Sequence, residues 1–223
     1  MQNIRLWFEK RGRAIYISHL DLMRAMSRAV RRAGLPIWYT EGFNPHPYLS
    51  FALPLPLGQE GLREAMDIRL EQDDMPLDEV LRRFDGVLPE GIAVLGAAQP
   101  WGGPGEIAAA AYDITLPHES PAEWRDQALA LLEAGTLTAK KMGKKGHRKI
   151  EKEIALAPLI LQHNLQPGEG TVYLTCTLAA GSEKNLNPAL LCEALGAQTP
   201  AAGAQTPKIT RKCLLRNDGS TWE

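Results

Sequence analysis

Ile4, Leu6 and Phe8 recur at every second position at the start of the chain, with Arg5 between the first two and the charges of Glu9 and Lys10 after; this two-residue period predicts a strand over 3–9. The period then changes. From His19 the apolar residues Leu22, Met26, Ala29 and Ala33 recur at steps of three and four, with Met23 and Val30 beside them, which predicts a helix with a broad buried face. Ser18 and Asp21 stand at capping-box spacing at its start, while Gly34 and Pro36 stop it. Further strands are expected near Tyr48 to Leu53 and near Glu64 to Glu71, where Met66, Ile68 and Leu70 alternate. Pro76 is expected at the first position of a helix covering Leu77 to Phe84, and Ile92 to Ala97 reads as a strand. The order β-α-β-β-α-β is the split βαβ pattern of a ferredoxin-like fold.

After the breaker-rich run Pro100 to Gly105 the pattern recurs. Ala111 to Leu116 reads as a strand, and Pro121 opens a helix that ends at Gly135. Ala157 to Leu165 and Thr171 to Leu178 read as an apolar hairpin, Pro188 to Leu195 as a short helix and Lys208 to Leu215 as a last strand. The expected class is therefore α+β: two tandem ferredoxin-like halves, 1–99 and 106–223. Two pieces exceed the repeat. The motif G-A-Q-T-P occurs at Gly196 to Pro200 and again at Gly203 to Pro207, a tolerated loop insertion. The second piece, 136–152, is expected as a basic hairpin or loop; it carries Lys140, Lys141, Lys144, Lys145, Arg148, Lys149 and Lys152 against one acid, Glu151. Lysines along such a ribbon can follow a phosphate backbone, although a solubilising excursion has the same composition.

The first helix carries an arginine stripe, Arg24, Arg28 and Arg31, on a different face from Met23 and Met26, which are expected to be buried. The loop that follows packs Gly42, Phe43, Asn44, Pro45, His46, Pro47 and Tyr48 into a rigid, chemically unusual run. Asn and His beside arginines suit an anionic or planar ligand. His46, or His19 at the helix start, is the candidate general acid/base, and no complete catalytic constellation accompanies either.

The run S-H-L-D-L-M-R, the segment R-A-V-R-R-A-G-L-P and the segment G-F-N-P-H-P-Y-L-S-F-A-L-P-L-P-L-G together resemble the radical SAM-associated, or radical SAM-linked, bacterial proteins, domain of unknown function 2344. The resemblance implies a cobalamin-binding radical SAM protein as partner and assigns no activity to the chain itself.

Composition narrows the chemistry. A net charge of −1 means that any anion-binding surface is a local patch, and a hydrophobic share of 44% suffices for packed cores. Cys176, Cys192 and Cys213 are too far apart for a zinc knuckle, a disulfide framework or the three close thiolates of a radical SAM cluster, so no cofactor and no metal are expected in this chain. No run reaches membrane-spanning length and no signal-peptide core opens the chain, which leads to the expectation of a cytoplasmic protein without a membrane partner. Phosphate-binding, dinucleotide-binding and H-E-x-x-H motifs are absent, as is the R-T-D-x-G run of pseudouridine synthases. Three roles remain: an accessory module that binds RNA or a ribonucleoprotein for the radical SAM protein, a metal-free endoribonuclease or transferase using His46, and a protein-docking scaffold.

Overall fold

The computed structural model describes residues 1–145, 148–199 and 206–223, and of 141–145 and 148–152 it describes backbone alone. The described residues form a mixed α+β protein with four helices and eight sheet strands in mostly antiparallel pairing; a further hairpin forms its own two-stranded sheet. Two compact units are present, one built from 1–107 together with Arg211–Glu223, the other from Ala108–Thr210. The tail 211–223, expected within the second half, thus packs with the first.

In the first unit the elements are β1 (Gln2–Lys10), α1 (His19–Arg32), β2 (Leu49–Phe51), β3 (Glu60–Leu70), α2 (Leu77–Arg83) and β4 (Ile92–Ala98). Their strand order is β4-β1-β3-β2, and each of these pairs is antiparallel. Alternation explains which side is covered. Ile4, Leu6 and Phe8 of β1 and Met66, Ile68 and Leu70 of β3 meet Leu22, Met26, Ala29 and Val30 of α1 in a core that Val80 and Phe84 complete. Burying a large aliphatic side chain is worth about 1.5–3 kcal/mol, so this face dominates the unit's stability. β1 is covered on its other face too, because Arg5 and Trp7 are also buried.

Local signals set the helix ends. Ser18 accepts the Asp21 N–H at 3.1 Å, Ala33 caps α1, and Gly34 takes φ +62°, where only glycine is unstrained. Pro76, expected inside α2, stands just before it with extended backbone, so α2 starts at Leu77. β2 is shorter than expected and β3 starts earlier. Met26 is fully buried, whereas Met23, expected beside it in the core, is only half-buried.

In the second unit β5 (Ala109–Pro117) precedes α3 (Pro121–Ala134), which Gly135 closes at φ +65°. The insertion forms the antiparallel pair β6 (Thr138–Lys145) and β7 (Arg148–Ala155), with Lys145 opposite Arg148. β8 (Ile160–Gly168), β9 (Thr171–Ala179) and α4 (Pro188–Gln198) follow, and β10 (Lys208–Leu215) begins in this unit and from Arg211 onward belongs to the first. β5 pairs β9 and β9 pairs β8, both antiparallel. Residues 157–159, expected as strand, make a short 3-10 turn instead, because Pro158 withholds a backbone donor. The repeated G-A-Q-T-P falls partly on 200–205, outside the described residues.

Candidate functional site

α1 and the loop before β2 enclose a cleft of about 490 Å³. Arg24, Arg28, Arg31 and Ser27 contribute from the helix and His46 from the loop, while Leu20, Met23, Pro47 and Leu49 supply apolar walls. The half-burial of Met23 follows from this placement: its side chain lines the cleft. The three arginines are exposed. Arg24 pairs with Asp21 at 3.1 Å and Arg31 donates to Ser27 Oγ at 3.2 Å, whereas Arg28 has neither an ion pair nor a hydrogen bond among the described residues. The Ser18 hydroxyl first, and Arg24 next, hold the Asp21 carboxyl below the usual carboxylate range. Among the described residues no carboxylate lines the cleft itself.

His46 is oriented by its own loop. Its Nδ1 lies 3.1 Å from the Asn44 carbonyl, which can only accept, so Nδ1 carries the proton; the Thr40 hydroxyl is at the same distance. The His46 N–H donates to Thr40 Oγ1 at 3.3 Å. In the neutral ring this arrangement leaves the Nε2 lone pair for a ligand. Gly42, at φ +136°, lets the chain turn here, and Phe43 beside it is fully exposed. Tyr48 is not on the cleft. Its ring is 5.8 Å from that of Trp38, and the Arg69 guanidinium lies over both.

His19, the other candidate acid/base, is half-buried, with its ring edge-on to Phe51 at 5.1 Å. Burial, reinforced by the Lys10 charge, pushes its pKa down, and its Nδ1 is buried without a hydrogen-bond partner. It does not line the cleft. Of the basic ribbon, Lys140 is exposed; the side chains of Lys141, Lys144, Lys145, Arg148 and Lys149 lie outside the described residues.

Two polar centres escape reading from the sequence. On the helix-covered face Arg211 grips the Glu64 carboxylate with two bonds of 2.9 and 2.5 Å and donates to the Leu53 and Pro54 carbonyls. Lys10 is buried nearby, donates to the Ile17 carbonyl at 3.2 Å, and has its pKa lowered by burial against the opposing pull of Glu64. On the opposite face Arg5 binds Asp67 at 2.7 and 2.9 Å, with the Trp222 ring 3.9 Å from its guanidinium. Strand parity is the one available signal: Lys10 continues the Ile4, Leu6, Phe8 row and Glu64 the Met66, Ile68, Leu70 row.

Burial pushes the Cys176 and Cys192 thiols up to about 12, which removes them as nucleophiles at neutral pH. No cluster of three or more His, Cys, Asp or Glu placed to hold a metal occurs among the described residues, and none of their helices is long and apolar enough to cross a membrane.

The family profile described as "Uncharacterized protein conserved in bacteria (DUF2344)" matches residues 3–188. No curated protein matches. Among solved structures, a chain of "Crystal Structure of a Cbf5-Nop10-Gar1 Complex" is similar at 9% identity with a TM-score of 0.52; the similarity covers 95% of this chain and 48% of that one. This chain therefore spans about half the length of that relative, and the likeness concerns fold alone.

Proposed function

The chain belongs to the family of uncharacterized proteins conserved in bacteria (DUF2344), and on that footing we propose that it is a cytoplasmic accessory module that binds RNA, free or in a ribonucleoprotein, and presents it to a cobalamin-binding radical SAM enzyme. The observation that carries the binding part is the convergence of Arg24, Arg28, Arg31 and His46 on one cleft with apolar walls. Guanidinium groups match phosphate oxygens bidentately, and the apolar walls suit the faces of bases, which have no charge to satisfy. The enzyme partner rests on the resemblance of the S-H-L-D-L-M-R and G-F-N-P-H-P segments. We read the two units as tandem ferredoxin-like halves, supported by the order β4-β1-β3-β2 in the first and the antiparallel β5-β9-β8 run in the second.

Binding without catalysis is preferred because the cleft holds one titratable imidazole and no carboxylate to work with it. The runner-up is a metal-free nuclease, favoured by one observation, the contacts of Asn44 and Thr40 with Nδ1 of His46, a residue that lines the cleft.

The test is an anisotropy titration of a labelled single-stranded oligoribonucleotide, with the same RNA run on a denaturing gel. Arg28→Gln and His46→Ala should each weaken binding by about tenfold while the RNA stays intact, and Asn44→Ala, whose backbone carbonyl persists, should change it little. Metal-independent cleavage that vanishes in His46→Ala would replace this reading with the nuclease. Equal displacement of the RNA by poly-glutamate would replace it with docking of an acidic protein.

A further inference from the structure

α1 is flanked by a second groove. Its volume is about 350 Å³, and it lies between the helix, through Ala25, Arg28 and Arg32, and the turn Gly86 to Pro89. Arg28 lines both hollows. Each has an apolar wall: Met23, Pro47 and Leu49 in the first, Val87, Leu88 and Pro89 in the second. Between them stands the arginine that makes no ion pair or hydrogen bond among the described residues. Arg32, by contrast, is already committed to the Val87 carbonyl at 2.5 Å, where it ties the turn to the helix.

From this arrangement, and resting on the RNA-binding reading above, we infer that the ligand crosses α1 as a dinucleotide unit: one base in each groove and the phosphodiester that joins them on Arg28. The spacing agrees. Both hollows border Arg28, through Arg24, Ser27 and Arg31 on one side and Ala25 and Arg32 on the other, so the bases of two adjacent nucleotides can flank one guanidinium, whereas a single base fills one hollow. The chemistry agrees as well. A planar guanidinium with no internal partner can take two phosphate oxygens, while apolar walls with no lysine accept a base by stacking and exclusion of water, without reading its edge. The bases must be unstacked from each other to enter separate hollows, so the substrate class is single-stranded and its sequence loosely specified.

Charge and geometry make opposite predictions for two small probes, adenosine monophosphate and the dinucleoside monophosphate ApA. The first has the greater negative charge; the second has one phosphodiester between two bases. Competition of each against a labelled oligo(A) octamer measures both affinities on the intact protein. ApA should compete at least about tenfold better than adenosine monophosphate, since each stacked base contributes about 1–3 kcal/mol. Ala25→Glu, which places a carboxylate in the second groove alone and keeps a good helix former, should abolish that advantage and leave adenosine monophosphate unchanged. Its thermal midpoint, measured alongside, verifies that α1 is intact. If the octamer binds and adenosine monophosphate competes as well as ApA, the two-groove path is overturned while the RNA-binding role stands. If Ala25→Glu weakens both probes equally, the path is likewise overturned. An octamer that fails to bind removes both readings.

Discussion

At the scale of single residues, the first unit is held by charges that a sequence presents as surface residues. Glu64 and Arg211 are 2% and 1% exposed and grip each other with two hydrogen bonds. A bidentate pair in so dry a place is costly to break, because the survivor keeps its charge and loses its partner. Room for it is made by Gly61: a Cβ there would overlap the Glu64 carboxylate itself. Glu64→Gln, which keeps the shape and removes the charge, should therefore lower unfolding free energy by about 3–5 kcal/mol in urea titration, and Gly61→Ala should follow it in the same direction. A loss near that of an exposed substitution would sink the idea that this pair holds β3 to the end of β10. None of this was legible beforehand except through parity. The two partners are 147 residues apart, and no local pattern reports a contact at that distance.

Elements were legible where their causes are local. α1 could be read to within a residue or two because the Ser18 cap, the three-and-four spacing and Gly34 all lie inside it. The arginine stripe and the His46 loop could likewise be read as candidates, and the structure brings Arg24, Arg28, Arg31 and His46 to one cleft while turning Tyr48 towards Trp38 and Arg69. The errors arose where context overrules composition. The apolar run from Ala157 reads as strand until Pro158 is given its backbone consequence, and β3 starts at Glu60, within residues whose charges disguise their burial. The ribbon is the element whose role remains separable from packing, because β6 and β7 form a two-stranded sheet of their own. Replacing Lys140, Lys141, Lys144 and Lys145 by Ser should therefore leave the unfolding free energy within about 0.5 kcal/mol. If the ribbon touches phosphates, the slope of log affinity against log salt should flatten by about 3 for an oligoribonucleotide. An unchanged slope would confine RNA binding to the α1 cleft.

For the molecule as a whole, the informative fact is that the chain does not finish one compact unit before starting the next. The first unit needs Arg211–Glu223 as well as 1–107. The tail matches the buried charge of Glu64 through the Arg211 guanidinium, and it covers Arg5, which is paired with Asp67 within the first stretch, by a Trp222 ring 3.9 Å away. Trp222 is itself buried against Trp7, with ring centres 6.0 Å apart, and donates its indole N–H to the Gly103 carbonyl at 3.1 Å. A fragment ending at Ile107 would retain every residue of the α1 core and both grooves, yet it would take from Glu64 its bidentate guanidinium partner, leaving the charge of Lys10 nearby, and uncover Arg5 and Trp7. An unpaired buried charge costs about 3–5 kcal/mol, a large part of the 5–15 kcal/mol typical of a whole domain. The fragment 1–107 should therefore lack a cooperative urea transition, and adding the peptide 208–223 in excess should restore one, by binding the folded state alone. The same peptide carrying Arg211→Met and Trp222→Ala should restore nothing. A cooperative transition in the fragment by itself would mean that the α1 core is sufficient and that the tail's charges and rings decorate a unit already stable without them.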